Sequence, residues 1–515
     1  MPSRGRAPLR FAFCATVVVL AAVLSAAGRP RLANGWELHR ELTVSADAEP
    51  AVARHFPSFR DYHELALYHP SAGYYTSGRV DFANDFRTFP TTLAPYFGQM
   101  AAQQAFRMWA GMRHAGSLDA ATPFTIAEFG AGNGLLAETI LDHVATQART
   151  DADARWRDFA RQLRYLSLDR SPALRAAQQE RNARFGDRFE GRHGDARDIG
   201  AAIARGSLRG AILSNELLDV FAVDKVIVSP DGSAEVAFVA PHLPSSAMRR
   251  LARVIADSTM ERIKADDAAI RQDVFGGRDT GVTWLSRTTF PQLLDELAAS
   301  TAYAAAVREI EFREIYVAAK AVPALDEHLT RYRDRYGEAI GRSGKGHVTY
   351  VNRDIDAFMR GASEALAAGY VMTIDYGGEW EAAVAYSGRP HLRIYGPDTP
   401  RSLTAADTGR AGANPYRGPT LHDITADVNF GHLVAEGERH GLRPMHFGPQ
   451  RSLQAGTSVS LAVPPPTLPG TRRLDYAFWA RVFVANATFK VLVQQKAGTD
   501  ALYTYPDSIS RRGRP

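Results

Sequence analysis

Between residues 122 and 228, short apolar and β-branched runs alternate with stretches whose apolar residues recur every three to four positions. This alternation predicts βαβ units feeding a parallel sheet, and so a doubly wound α/β core. The runs 124–129, 165–169 and 210–214 read as the first, second and fourth strands, and Gly194-Asp195 ends the third. After the first strand, Leu136, Ile140 and His143/Val144 form one stripe of a helix. Upstream, a cap region at 35–121 is mixed and aromatic-rich, with a helix predicted near 93–109. Residues 241–345 are rich in Ala, Arg and Glu and predict a mainly helical insertion, with helices near 248–263 and 291–305. The core continues over 346–460, with a helix near 355–368, a fifth strand at 370–374 and a loop-rich stretch at 381–455. A stiff connector at Pro464-Pro465-Pro466 and a last strand at 489–494 occupy the remainder, 461–515.

The first 34 residues differ in kind. Arg4, Arg6 and Arg10 precede an unbroken apolar run at 11–27, with Ser25 and Ala27 in small-residue cleavage positions. The expectation is a signal peptide or membrane anchor, because no polar face exists to meet solvent; export would part the chain from a cytosolic cofactor. A mitochondrial or cytoplasmic location follows instead if the leader is a transit peptide or the start is misassigned. The five arginines of this segment, without an acid, account for the whole net charge of +5. The remainder is balanced, so no basic nucleic-acid face is predicted. Cys14 is the only cysteine, which excludes an internal disulfide or a thiolate zinc site.

The chemistry concentrates at strand ends. Glu128-Phe129-Gly130-Ala131-Gly132-Asn133-Gly134 joins the first strand to a helix, and glycines there let a ligand approach backbone N–H groups. A dinucleotide fingerprint needs a small residue at 135, where Leu135 stands. Glu128 suits an ammonium and would repel a pyrophosphate. The loop therefore points to S-adenosyl-L-methionine, held by Glu128, Gly130, Gly132 and Gly134. Asp169 is expected on the ribose hydroxyls and Asp195 near the adenine amino group. Helix capping is the plainer role for either acid. The fourth strand delivers Asn215-Glu216-Leu217-Leu218-Asp219, and Asn215, Glu216 and Asp219 are the candidate catalytic group, since paired carboxylates can hold a guanidinium; capping the next helix is the alternative for Asn215 and Asp219. Asp375 and Tyr376 end the fifth strand, where they either line the acceptor pocket or serve a turn or helix cap. Gly341–Gly346 is too short before Lys345 for a P-loop, and no G-x-S-x-G nucleophile elbow occurs; H-E-x-x-H is absent and the fifteen histidines form no ligand spacing, so no metal is predicted.

These segments, in this order, resemble the mitochondrial complex I assembly-factor methyltransferases and their bacterial MidA-like relatives. The resemblance runs from about residue 60 to 496. It includes Gly73-Tyr74-Tyr75, Asp85 to Pro90, Phe97-Gly98, the glycine loop, Ser171 to Arg175 and Asn215 to Asp219. Further on it takes in Ile374 to Gly377, Asp423 to Phe430, Gly448-Pro449-Gln450 and Phe489 to Leu492. It implies a class I methyltransferase (Rossmann-like) fold, S-adenosyl-L-methionine as donor, and a protein arginine acceptor on a respiratory complex subunit. Asp85 and Thr88 are then expected in the substrate pocket. The chain departs from the family at Asn84, Phe89 and Thr91, at Phe129, Ala131 and Asn133, and at Gly396, where a histidine is usual. A catalytically degenerate scaffold of the same fold is the alternative these departures raise. A nicotinamide oxidoreductase is opposed by Glu128 and Leu135.

Overall fold

The computed structural model describes residues 32–33, 38–80, 87–341, 344–384, 391–396, 414–466 and 472–499. The apolar leader, Asp85 and the basic tail at 511–514 lie outside the described residues. Among those described, no helix is long and apolar enough to cross a membrane.

Among the described residues, fifteen strands form three sheets. The main sheet contains β1 (Phe124–Phe129), β2 (Leu163–Asp169), β3 (Phe189–His193), β4 (Leu208–Asn215), β10 (Leu366–Gly378), β14 (Leu442–Pro449) and β15 (Phe489–Lys496). Their order is β14-β15-β10-β4-β1-β2-β3, and β13 (Val428–Asn429) pairs with the end of β10. β3, β2, β1, β4 and β10 run parallel; β15 is antiparallel to both its neighbours, β10 and β14. The core is thus a doubly wound, mostly parallel α/β sheet, as the alternation predicts. Both faces are covered because side chains alternate along each strand. Ile126, Met372, Val491 and Val493 pack on one face against the helices Tyr96–His114 and Leu135–Thr150. Ala127, Val371 and Leu492 pack on the other against Asp354–Ala365 and Phe430–Arg439. The long gap between the glycine loop and Asp169 is filled by Leu135–Thr150 and a second helix, Arg155–Gln162.

The segment between β4 and β10 departs from expectation. Helices do predominate over 241–345, but they are mounted on a five-stranded antiparallel sheet: β5 (Asp224–Val228), β6 (Ala234–Pro244), β7 (Val282–Trp284), β8 (Glu311–Ala318) and β9 (His347–Val351). The insertion therefore starts at β5 rather than at 241 and ends with β9 rather than at 345. The expected single helices at 248–263 and 291–305 are each two, Ser245–Leu251 with Asp257–Phe275, and Thr289–Ala298 with Tyr303–Val307. The region 35–121 is not one cap. Phe59–Tyr68 packs its Phe59 and Tyr62 on the second sheet, whereas Tyr96–His114 packs on the main one. The loop-rich stretch holds the hairpin β11 (Leu392–Tyr395) with β12 (Asp423–Ala426), a helix and β14. The last strand belongs inside the main sheet and is no appendage.

Candidate functional site

A cavity opens at the carboxyl ends of β1, β2, β4 and β10, next to the point where the chain leaves β1 in one direction and β4 in the other. Open α/β sheets bind ligands at this position. Glu128, Gly130, Gly132, Asp169, Asp195, Asn215, Glu216, Asp219, Thr88 and Tyr376 all line it.

The glycine loop turns through three left-handed residues, Gly130, Gly132 and Gly134, with φ of 71°, 54° and 78°. A side chain at Gly130 would meet Leu217 at 2.7 Å, and one at Gly134 would meet Asn182 at 2.7 Å. Three side chains of the helix Pro172–Asn182 grip the loop carbonyls. Gln178 donates to Gly132 O at 2.8 Å, Arg181 to Asn133 O at 2.8 Å and Asn182 to Gly134 O at 3.1 Å. Gln178 also donates to Asp169 Oδ2 at 3.2 Å and accepts from Ser167 Oγ at 2.8 Å. Single-sequence patterning misses this role, because a glutamine on a helix looks like a solvated one; the only signal is its spacing of three and four from Arg181 and Asn182.

Glu128 is buried and accepts from the Tyr165 hydroxyl at 2.7 Å. Burial pushes its carboxyl up to about 7, so a cation beside it would favour ionisation. Asp169 ends β2, and its two oxygens already accept from Ser171 N and Gln178. Burial raises it to about 6. A carboxylate has about four acceptor positions, which leaves room for two hydroxyl donors. Asp195 lies two residues past β3, and its carboxylate is tied to Arg197 at 2.8 Å and Arg170 at 3.4 Å. Burial would raise its pKa, and the Arg197 guanidinium outweighs this and holds it low. Its expected bond to an adenine amino group is thus competed for by two arginines, which also clasp Glu64.

The far end of the cavity is acidic. Glu216 has a left-handed φ of 49°, strain that a non-glycine residue keeps only where its surroundings impose it. Its backbone N–H donates to Ile374 O at 2.8 Å, which pins the turn to β10. Burial and the neighbouring Asp219 push Glu216 up to about 8. Burial raises Asp219 to about 6. Asp423, on β12, lines the same wall with Tyr376, Tyr395 and Thr425, none of which but Tyr376 was expected in the site. Two of the lining residues carry a buried acceptor atom, Asn215 Oδ1 and Asp219 Oδ1, with no hydrogen-bond partner in the protein. Buried acceptors left open in this way call for a donor from a ligand.

Asp375 does not join the pocket. Its carboxylate turns to the chain itself, accepting from Leu218 N at 3.0 Å, Asp219 N at 3.3 Å and Tyr376 N at 2.8 Å. It holds the loop that follows β4 rather than lining the cavity, because a fully buried carboxylate takes the nearest N–H donors. Thr91 likewise explains itself: its Oγ1 accepts from Thr88 N at 3.2 Å, closing the first turn of the helix Phe89–Thr92. Phe89 packs edge-on against Trp479, Phe483 and Phe489. Away from the cavity, Asp356, Glu436 and His440 bring ligand-type atoms within 4.8 Å of one another. The Arg439 guanidinium already contacts both carboxylates, so this cluster is an ion-pair network.

A family model for S-adenosyl-L-methionine-dependent methyltransferases matches residues 100–448. Two solved structures are similar, both of COG1565 superfamily proteins from Burkholderia thailandensis. One, bound to S-adenosyl-homocysteine, shares 22% identity at a TM-score of 0.53, over 87% of this chain and 90% of its own. The other shares 21% identity at 0.52, over 90% and 93%. At this identity the likeness speaks to the fold. A search of the curated proteins found no match.

Proposed function

From the premise that the chain belongs to the S-adenosyl-L-methionine-dependent methyltransferase family, we propose that it methylates a cationic nitrogen acceptor, a protein arginine side chain. The observation that carries this reading is the convergence of Glu216, Asp219 and Asp423 on the cavity that the glycine loop also faces.

The residues fit the donor. The left-handed glycine turn leaves room for a ligand against the backbone, Glu128 suits its ammonium, and Asp169 has acceptor capacity for its ribose hydroxyls. When bound, S-adenosyl-L-methionine supplies an electrophilic methyl group on a sulfonium. The chain's own residues then have two tasks. Glu216 and Asp219 hold and align the guanidinium through charge-assisted hydrogen bonds, and the open oxygen of Asn215 is a further acceptor. The proton that the methylated nitrogen gives up passes to one of these carboxylates. Glu216, raised by burial and by its neighbour, is suited to accept it near neutral pH.

Calorimetric titration with S-adenosyl-L-methionine and, separately, NAD tests the donor; binding of the first alone is expected. Glu216→Gln keeps size and removes charge. Donor affinity should stay within a few-fold, while transfer of labelled methyl to arginine falls by about 10²-fold, the scale of one strong electrostatic contact. Full activity in this variant would remove Glu216 from the chemistry. Absence of labelled arginine with the parent protein would redirect the reading to another acceptor or to a scaffold.

A further inference from the structure

The helix Arg473–Ala485 has two apolar faces, and only one is used. Tyr476, Trp479, Ala480 and Phe483 are buried against the main sheet, and Trp479 and Val482 line the cavity. On the opposite side Leu474 is 85% exposed, Phe478 42% and Val484 47%. With exposed Ala477 between them, these positions follow helical spacing and form one outward stripe. A run of large apolar side chains in water marks an interaction surface.

Charge decides what covers it. Arg473 and Arg481 are exposed on the same helix, exposed Arg472 is its N-cap, and exposed Arg451 reaches its other end, donating to Val484 O at 3.3 Å. Among the described residues none of these four arginines has an ion-pair partner. The helix's one acid, Asp475, is neutralised by Arg87. Apolar side chains flanked by unpaired arginines are the pattern that seats a helix at the interface of an anionic bilayer. We propose that this face docks on an anionic lipid surface, which sets the mouth of the cavity beside the membrane. The apolar run at 11–27 supports the same location from a separate part of the chain.

The test uses the full chain with Cys14→Ser, so that Ala477→Cys carries the only thiol for a polarity-sensitive dye. The protein is reconstituted on phosphatidylcholine vesicles with or without phosphatidylglycerol. The apolar leader can tether it to both, and its five arginines themselves favour phosphatidylglycerol, so the helix is read by the dye at position 477 and by the helix variants below, which leave the leader unchanged. A blue shift of the dye is expected with phosphatidylglycerol, weakened by salt. It should be lost when Arg472→Glu, Arg473→Glu and Arg481→Glu are combined, and separately in Leu474→Asp/Phe478→Asp, with an unchanged thermal melt. Equal emission on the two vesicle types overturns the proposal. So does a shift that grows with protein concentration in the absence of lipid, which assigns the face to a second copy. A shift that needs an added acceptor protein likewise overturns it.

Discussion

Glu216 shows how one residue can be costly to the fold and useful to the site. It sits in a left-handed conformation and is charged only against burial and a nearby carboxylate. Raised carboxyls have a definite sign in pH dependence. Because Glu216 and Asp219 bind protons more tightly folded than unfolded, their contribution to stability is complete below the unfolded pKa, near 4, and is lost as pH rises through about 6 and about 8. Glu216→Gln should therefore melt higher than the parent at pH 9, and the two curves should converge near pH 4; a fixed difference across that range would contradict the assignment. Activity should move the opposite way. The pocket gains charge as Asp219 and then Glu216 ionise, so kcat/KM for a cationic acceptor should climb between about pH 6 and 8.

At the scale of elements, the glycine loop owes its shape to a neighbour. A loop with three left-handed glycines has little rigidity of its own. The helix Pro172–Asn182 supplies it through Gln178, Arg181 and Asn182. Gln178→Leu keeps volume but leaves Gly132 O, Ser167 and Asp169 each short of one partner. We expect a loss of about 1–3 kcal/mol in stability, the cost of an unsatisfied buried group, together with weaker S-adenosyl-L-methionine binding in calorimetry. Unchanged affinity would mean that the loop keeps its form unaided. Asp375 plays the parallel part at the other loop, bonding the N–H groups that follow Glu216. Both are positioning residues, and neither offers a motif to read.

For the whole molecule, the cavity lies where two sheet systems meet. Tyr68 and Tyr75 reach it from the segment packed on the second sheet. In the same helix, Glu64 accepts from Arg170 and Arg197 at 2.8 Å each, and both arginines lie beyond the main-sheet strands β2 and β3. This ion-pair cluster joins the two systems beside the site. Glu64→Gln should lower stability by about 1–2 kcal/mol, less than a fully buried pair because all three side chains keep some solvent contact. The two arginines hold the Glu64 carboxyl low despite its burial, so the loss should shrink as pH falls below about 4. Urea midpoints at pH 7 and pH 3 measure both.

How much was legible follows from the range of the forces involved. Period-two and period-3.6 patterns are local, so the strands of the parallel core, the glycine loop and its first helix could be read from residue order alone. Glu128, Asp169, Asn215, Glu216 and Asp219 were legible for a related reason: strand ends in an open parallel sheet converge on one edge, whatever the details. Asp195 lies two residues beyond the end of the third strand, where it was expected within it, and its arginine partners depend on contacts with β2 and with the helix Phe59–Tyr68, which no local pattern encodes. Within the stretch read as helices, the strand β8, buried on both faces, lacks the alternation of a half-exposed strand. That Asp375 faces the chain, that Asp423 and Tyr395 enter the pocket, and that Gln178 holds the loop were decided only by tertiary structure. Each depends on bonds or packing between residues far apart in the chain, where direction and burial, rather than residue type, determine the role.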